Sequence, residues 1–325
     1  MITDTRERII KFIKKKGRVT AKEMVEYLGI TRQGLFLQIA KLLRNNEIAK
    51  MGKPPLVYYY LPEKVEKGKE VTIDNKIFDF INQRYLYISP LGEKKFGMPG
   101  FTMWCLKTGQ EVEKTAKEYV MTQTRYDKWV RGGVINGIDK LKSTFAKVYL
   151  DKLLYLDFYS IERFGKTKLG QLLLYAKQSQ SKEVIKELVA LVKAPIEQIV
   201  GKYEIGSVGY IPATVRREVQ LMRELERQME LPLRKIKINK IRSEMMIPQK
   251  TLSRLADRVE NAARTMIVKG NEVHENVLLI DDAVGSGATL NETAKQIRER
   301  GMVGGKIIGL AIVGSYKGFD VISEV

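Results

Sequence analysis

Residues 277–290 read Val277-Leu-Leu-Ile-Asp-Asp-Ala-Val-Gly-Ser-Gly-Ala-Thr-Leu290: four apolar residues, two carboxylates, then a loop of small side chains. An unbroken apolar run of this length suits a strand covered on both faces, as parallel strands are. Glycines at 285 and 287 let the backbone approach a ligand closely. The loop runs into a helix start, where free N–H groups and the helix dipole attract an anion. Ser286 and Thr289 add hydroxyl donors. Asp281 and Asp282 cannot grip the same anion, so they serve a neighbouring polyol or a metal. Paired acceptors beside a phosphate cradle describe a ribose 5-phosphate site, with the acids on the 2- and 3-hydroxyls and Gly285, Ser286, Gly287, Ala288 and Thr289 on the phosphate. A P-loop would need Gly-Lys-Ser/Thr, and the dinucleotide fingerprint would need a glycine where Leu290 stands.

Outward from this stretch, the pattern predicts strands over residues 205–211, 233–238, 277–280 and 307–313, and helices over 213–229 and 291–300. Short apolar strands alternating with amphipathic helices predict an α/β fold with a doubly wound, mostly parallel sheet. In such sheets ligands lie beyond the carboxyl ends of the strands, where Asp281 and Asp282 stand.

The stretch resembles the phosphoribosyl pyrophosphate motif of type I phosphoribosyltransferases. A second block, Pro248-Gln249-Lys-Thr-Leu252-Ser253 through Arg258-Val-Glu-Asn261, resembles the Gln-x-x-Leu-Ser and Arg-x-x-Asn pattern of ComF-type competence phosphoribosyltransferases. Ile211-Pro212, Arg216, Gln220 and Leu231-Pro232 follow that family's order, and Tyr175-Ala-Lys177 matches its earlier Lys-containing helix. The resemblance covers residues 151–325. It implies that Asp281 and Asp282 hold ribose, that residues 285–289 hold its phosphate, and that Arg216 or Arg217 clamps pyrophosphate. It also implies a catalytic loop carrying Lys250, Arg254 and Arg258, with Mg²⁺ bound through substrate oxygens rather than by a protein cluster. No general base and no base-binding hood is legible. The family's four-cysteine zinc module cannot exist here, because Cys105 is the one cysteine, and its Arg-Gly-Phe-Asn-Gln run stands as Arg216-Arg-Glu-Val-Gln220.

Residues 1–62 show a different rhythm. Ile9, Ile10, Phe12 and Ile13 form one helical stripe. Thr20 with Glu23 forms a capping box for a second helix, and Thr31 caps a third whose stripe is Leu35, Phe36, Ile39, Leu42 and Leu43. Two strands follow, residues 48–51 and 56–61. This order is that of a winged helix-turn-helix, which sets its third helix in a DNA major groove. Arg32, Gln33, Gln38 and Lys41 on that helix, with Lys50 and Lys53 on the wing, are the candidate DNA contacts. The segment holds 13 Lys and Arg against 5 Asp and Glu, a density suited to phosphate.

Residues 63–71 read as a charged linker. Residues 72–150 read as a small β-rich and helical segment, with Tyr87, Phe96, Phe101 and Trp104 as core aromatics rather than base-stacking platforms, and residues 111–193 read as mostly helical. Over the whole chain 57 Lys and Arg face 38 Asp and Glu, a net +19 that favours polyanionic partners. One cysteine and one histidine exclude an internal disulfide, cysteine-rich zinc sites and Ser-His hydrolases. No apolar run is long enough for a membrane span and no signal peptide is visible, which predicts a cytoplasmic protein.

Three functions follow as expectations. One is a ComF-like protein binding phosphoribosyl pyrophosphate and DNA in DNA uptake or processing. A second is a transcriptional regulator that senses phosphoribosyl pyrophosphate. The third is a nucleobase salvage phosphoribosyltransferase whose N-terminal module serves homodimer formation.

Overall fold

The computed structural model describes residues 5–45, 47–53, 56–61, 73–90, 92–213, 215, 217–241 and 255–315. The chain divides into two units, Met1–Val71 and Thr72–Val325. The expected linker, residues 63–71, lies outside the described residues, as do Arg216, Lys250 and Arg254 and the side chain of Lys53.

In the first unit α1 (Thr5–Lys16) leads through β1 (Arg18–Thr20) to α2 (Ala21–Leu28), α3 (Arg32–Arg44), β2 (Ala49–Lys53) and β3 (Leu56–Tyr60). The capping box forms as its residues require: the Glu23 N–H donates to Thr20 Oγ1 at 3.3 Å, and the Thr20 N–H donates to the Glu23 carboxylate at 2.7 Å. Gly29 closes α2 in the left-handed region at φ 67°. Thr31 caps α3 by accepting from the Gly34 N–H at 3.2 Å. Ile9, Ile13, Met24, Leu35, Ile39 and Leu42 form the core. The expected stripe included Phe36, which is instead 42% exposed beside Leu37 at 67%. A helix turns about 100° per residue, so the 35/39/42 arc cannot also bury position 36. The strands form an antiparallel sheet in the order β1-β3-β2. Three residues are too few for β1 to show alternation, so the sequence pattern does not signal it.

The second unit begins with α4 (Asn75–Arg84), the antiparallel pair β4 (Leu86–Ile88) and β5 (Lys94–Phe96), α5 (Gly97–Lys107) and α6 (Val112–Asp127). The reading of residues 101–105 as part of a β-rich unit is corrected by α5. Met98, Phe101 and Cys105 recur at helical spacing and are all buried, so packing overrides the aromatic preference for strands. Tyr87 and Phe101 join the core and Trp104 packs against it, whereas Phe96 is half exposed. Next come β6 (Val130–Arg131), β7 (Val134–Asn136), α7 (Ile138–Thr144), β8 (Lys152–Phe158), α8 (Lys168–Ser179), α9 (Lys182–Lys202), β9 (Ser207–Tyr210), α10 (Leu221–Met229) and β10 (Arg234–Lys235). The last elements among the described residues are β11 (Lys237–Lys240), α11 (Leu255–Thr265), β12 (Met266–Lys269), β13 (Val277–Val284), α12 (Ala288–Glu299) and β14 (Ile307–Gly314).

Seven strands form one mixed sheet in the order β10-β9-β13-β14-β8-β7-β6. β10, β9, β13, β14 and β8 run parallel, and β7 and β6 add antiparallel pairings at one edge. Alternate residues of β13 enter different cores. Leu278 and Ile280 pack with α8, α9 and α10, and Val277 and Leu279 pack with α12, so both faces are covered. This is an α/β arrangement compatible with double winding.

Four expectations need correction. Residues 152–158, inside the stretch read as helical, form β8, because Leu153-Leu-Tyr-Leu156 is apolar on both sides and lies between β14 and β7. The sheet therefore crosses the expected 150/151 domain boundary. Helix α10 begins at Leu221 rather than 213, since side chains take up the backbone groups before it. The Val219 N–H donates to Gln180 Oε1 at 3.2 Å, and Gln220 Nε2 donates to the Arg217 carbonyl at 2.7 Å. The strand expected at 233–238 is two short strands, one on the main sheet and one paired antiparallel with the unforeseen β12.

Candidate functional site

From β9 the chain moves outward to β10, and from β13 it moves the opposite way to β14. The order of winding thus reverses between β9 and β13, which opens a crevice beyond their carboxyl ends. The two strands are in register from Val277 opposite Ser207 to Ile280 opposite Tyr210. The Ile211 N–H donates to the Ile280 carbonyl at 2.8 Å, so residues 281 and 282 start where β9 gives way to loop.

Two acids and two lysines gather there. Asp282 Oδ2 lies 2.6 Å from Lys177 Nζ of α8, with both side chains 15% exposed. The Asp282 N–H donates to Asp281 Oδ1 at 2.8 Å. Burial pushes the Asp281 carboxyl well above its ordinary range, and the charge of Asp282 adds to this; the Asp282 N–H, Lys177 and Lys240 oppose it. Lys240 of β11 is pushed down by burial against the pull of both aspartates. The backbone carbonyl of Lys177 accepts from Arg217 Nη1, which ties the segment after β9 to α8.

The loop of small residues caps α12 with Gly287 at φ 80°, an N-cap that supplies no side-chain acceptor to the first turn of the helix. Ser286 Oγ accepts from the Ala288 N–H at 3.4 Å. A Cβ at Gly287 would collide with Leu141 Cδ1 of α7, so both its dihedral and its packing require glycine. From α7, Lys140 Nζ donates to the Ser315 carbonyl at 2.7 Å, and the Ser315 N–H donates to the Val284 carbonyl at 3.3 Å.

The acid pair and the loop Gly285, Ser286, Gly287, Ala288 and Thr289 are thus contiguous at one end of the sheet. Arg258 is buried on α11, and burial lowers its pKa, so it does not belong to a solvated helix face. Lys240 carried no signal in the sequence. Lys177 was visible only as part of a matched helix. Both reach the acids through tertiary contacts that no local pattern encodes. Further along the carboxyl edge Asp157 closes β8; burial raises it to about 6, against the Phe158 N–H at 2.7 Å and the Thr167 hydroxyl. At the opposite end of the sheet the one histidine, His274, satisfies Ser207 Oγ at 2.7 Å, both buried.

In the first unit Arg32, Gln33, Lys41 and Lys50 are exposed and Gln38 is half-buried. The Arg32 guanidinium lies 5.9 Å from the centroid of the Phe36 ring.

Among the described residues no three His, Cys, Asp or Glu side chains form a metal cluster, and no helix is long and apolar enough to cross a membrane. No protein-family model matches the chain, and no curated protein matches its sequence.

Proposed function

We propose that the second unit binds phosphoribosyl pyrophosphate, that the first unit acts as a winged helix-turn-helix on DNA, and that the whole is a ComF-like protein of DNA uptake or processing. The observation that carries this reading is the contiguity of the Asp281–Asp282 pair with a glycine-shaped helix start, whose N-cap offers no side-chain acceptor, at the winding reversal. Carboxylates accept from the ribose hydroxyls, and the N–H groups at the start of α12 receive the 5-phosphate. Lys177 holds the place of a cation on Asp282; an arriving diol takes over that carboxylate and leaves Lys177 for the diphosphate. Mg²⁺ would arrive on the substrate oxygens and neutralise the leaving diphosphate, the acid pair meeting the diol or the waters of the ion. The chain's own part is orientation and charge neutralisation, which suffices for transfer through an oxocarbenium-like state.

Isothermal titration with phosphoribosyl pyrophosphate and Mg²⁺ tests the shared premise, using the double variant Asp281→Asn/Asp282→Asn. Wild type should bind and the variant should not; equal behaviour of the two removes the reading.

One observation favours a second role for the first unit. Phe36 and Leu37 present apolar surface on α3, which suits a protein contact, and hence the salvage enzyme with a dimerising module, better than base edges. Footprinting on genomic fragments against random single strands separates operator binding, strand handling and no DNA contact.

A further inference from the structure

Helix α3 presents two unlike faces. Leu35, Ile39 and Leu42 enter the core of the first unit. On the other side Gln33, Phe36, Leu37, Ala40, Lys41 and Arg44 are all exposed, and spacings of three and four residues place them on one face. The centre of that face is apolar: Phe36 is 42% and Leu37 67% exposed, with Ala40 one turn further on. Cations stand at its ends. The Arg32 guanidinium lies 5.9 Å from the Phe36 ring centroid, and Lys41 and Arg44 occupy the last turn. The helix carries no acid.

A second copy of this chain would cover the apolar centre, but a contact through this face brings two sets of the same cations together with no acid between them. A polyanion satisfies the cations. Base edges are mostly donors and acceptors, a poor match to Phe36 and Leu37, with one exception: the 5-methyl group of thymine, which stands in the major groove as an apolar group.

We propose that α3 recognises thymine in duplex DNA by its methyl group, with Phe36, Leu37 and Ala40 as the specificity-determining residues and Arg32, Lys41 and Arg44 on the flanking phosphates. Gln33 on the same face carries the amide that pairs with the N6 and N7 edge of adenine, so the face as a whole suits A·T pairs. The inference rests on the reading of the first unit as a DNA-binding module.

The test uses the full chain and two alternating deoxyribose duplexes, adenine–thymine and adenine–uracil, which present the same hydrogen-bonding edges and differ by the methyl group. Fluorescence anisotropy, with each duplex competing against a labelled one across a salt series, reads both affinities. Wild type should favour the thymine duplex by about fourfold for each methyl group met. Phe36→Ser/Leu37→Ser, at two exposed positions, should bring the two affinities together while the dependence on salt stays that of wild type. Lys41→Ala/Arg44→Ala should weaken both duplexes alike and flatten the salt dependence, leaving the thymine preference in place. The proposal is overturned if Phe36→Ser/Leu37→Ser keeps the preference. Equal binding of both duplexes by wild type would remove the methyl readout alone, whereas binding of neither would remove the DNA reading of the first unit with it. A wild-type dimer without thymine preference that Phe36→Ser/Leu37→Ser dissociates, read by sedimentation velocity, would overturn the proposal and assign the face to a second copy.

Discussion

Asp281 shows how a residue of the candidate site works against the stability of its own fold, and Lys177 shows the reverse. The raised pKa of Asp281 means that the folded chain holds this proton more tightly than the unfolded chain does. Stability therefore falls as pH climbs from the ordinary carboxylate range through the raised one. Asp281→Asn should accordingly be more stable than wild type at neutral pH and above, yet lose phosphoribosyl pyrophosphate; urea titrations at pH 5 and 8 alongside calorimetry would detect both. Asp157 carries the same sign within a narrower window, from 3.8 to about 6. The Asp157→Asn variant should match wild type below that window and exceed its urea midpoint above it, and a pH-independent difference would refute the assignment. Lys177→Met acts oppositely. It leaves Asp282 without its ion-pair partner, at a cost on the order of 3 kcal/mol at neutral pH, where removing one partner of a shielded ion pair is most expensive.

Single elements depend on a few capping and turn positions. Gly287→Ala places a side chain at φ 80° and drives it into Leu141, so a loss of about 1–3 kcal/mol is expected in denaturant melts. Adding Leu141→Ala should relieve the collision but not the dihedral strain, giving partial recovery of ligand affinity. Thr20→Ala in the first unit removes the acceptor for the Glu23 N–H and should cost about 1 kcal/mol. These elements were legible because their signals are local: a threonine before a helical stripe, a glycine at a forced turn, four apolar residues before two acids. Strand β8 was not, since an apolar run such as Leu153-Leu-Tyr-Leu156 packs equally well in a helix until neighbouring strands claim its backbone.

Charge is a property of the whole molecule, and it is not confined to one unit. Residues 72–325 hold 41 Lys and Arg against 30 Asp and Glu, so the second unit stays basic without the first. Deleting residues 1–62 should remove most DNA affinity and flatten its dependence on salt, leaving a weak, sequence-independent remainder. Fluorescence anisotropy across a salt series reads both effects. Full affinity in the truncated chain would transfer the nucleic-acid role to the second unit.

Local chemistry determined the position of the acid pair, the helix start behind it, the caps of the N-terminal helices and the α/β alternation, because each is a contact between residues a few positions apart. Tertiary structure alone decided that Lys177 and Lys240 face those acids and that the chain winds in opposite directions from β9 and β13. Those arrangements arise when distant segments share a sheet and its two cores, and burial there sets charges and hydrogen bonds that no stretch of sequence carries by itself.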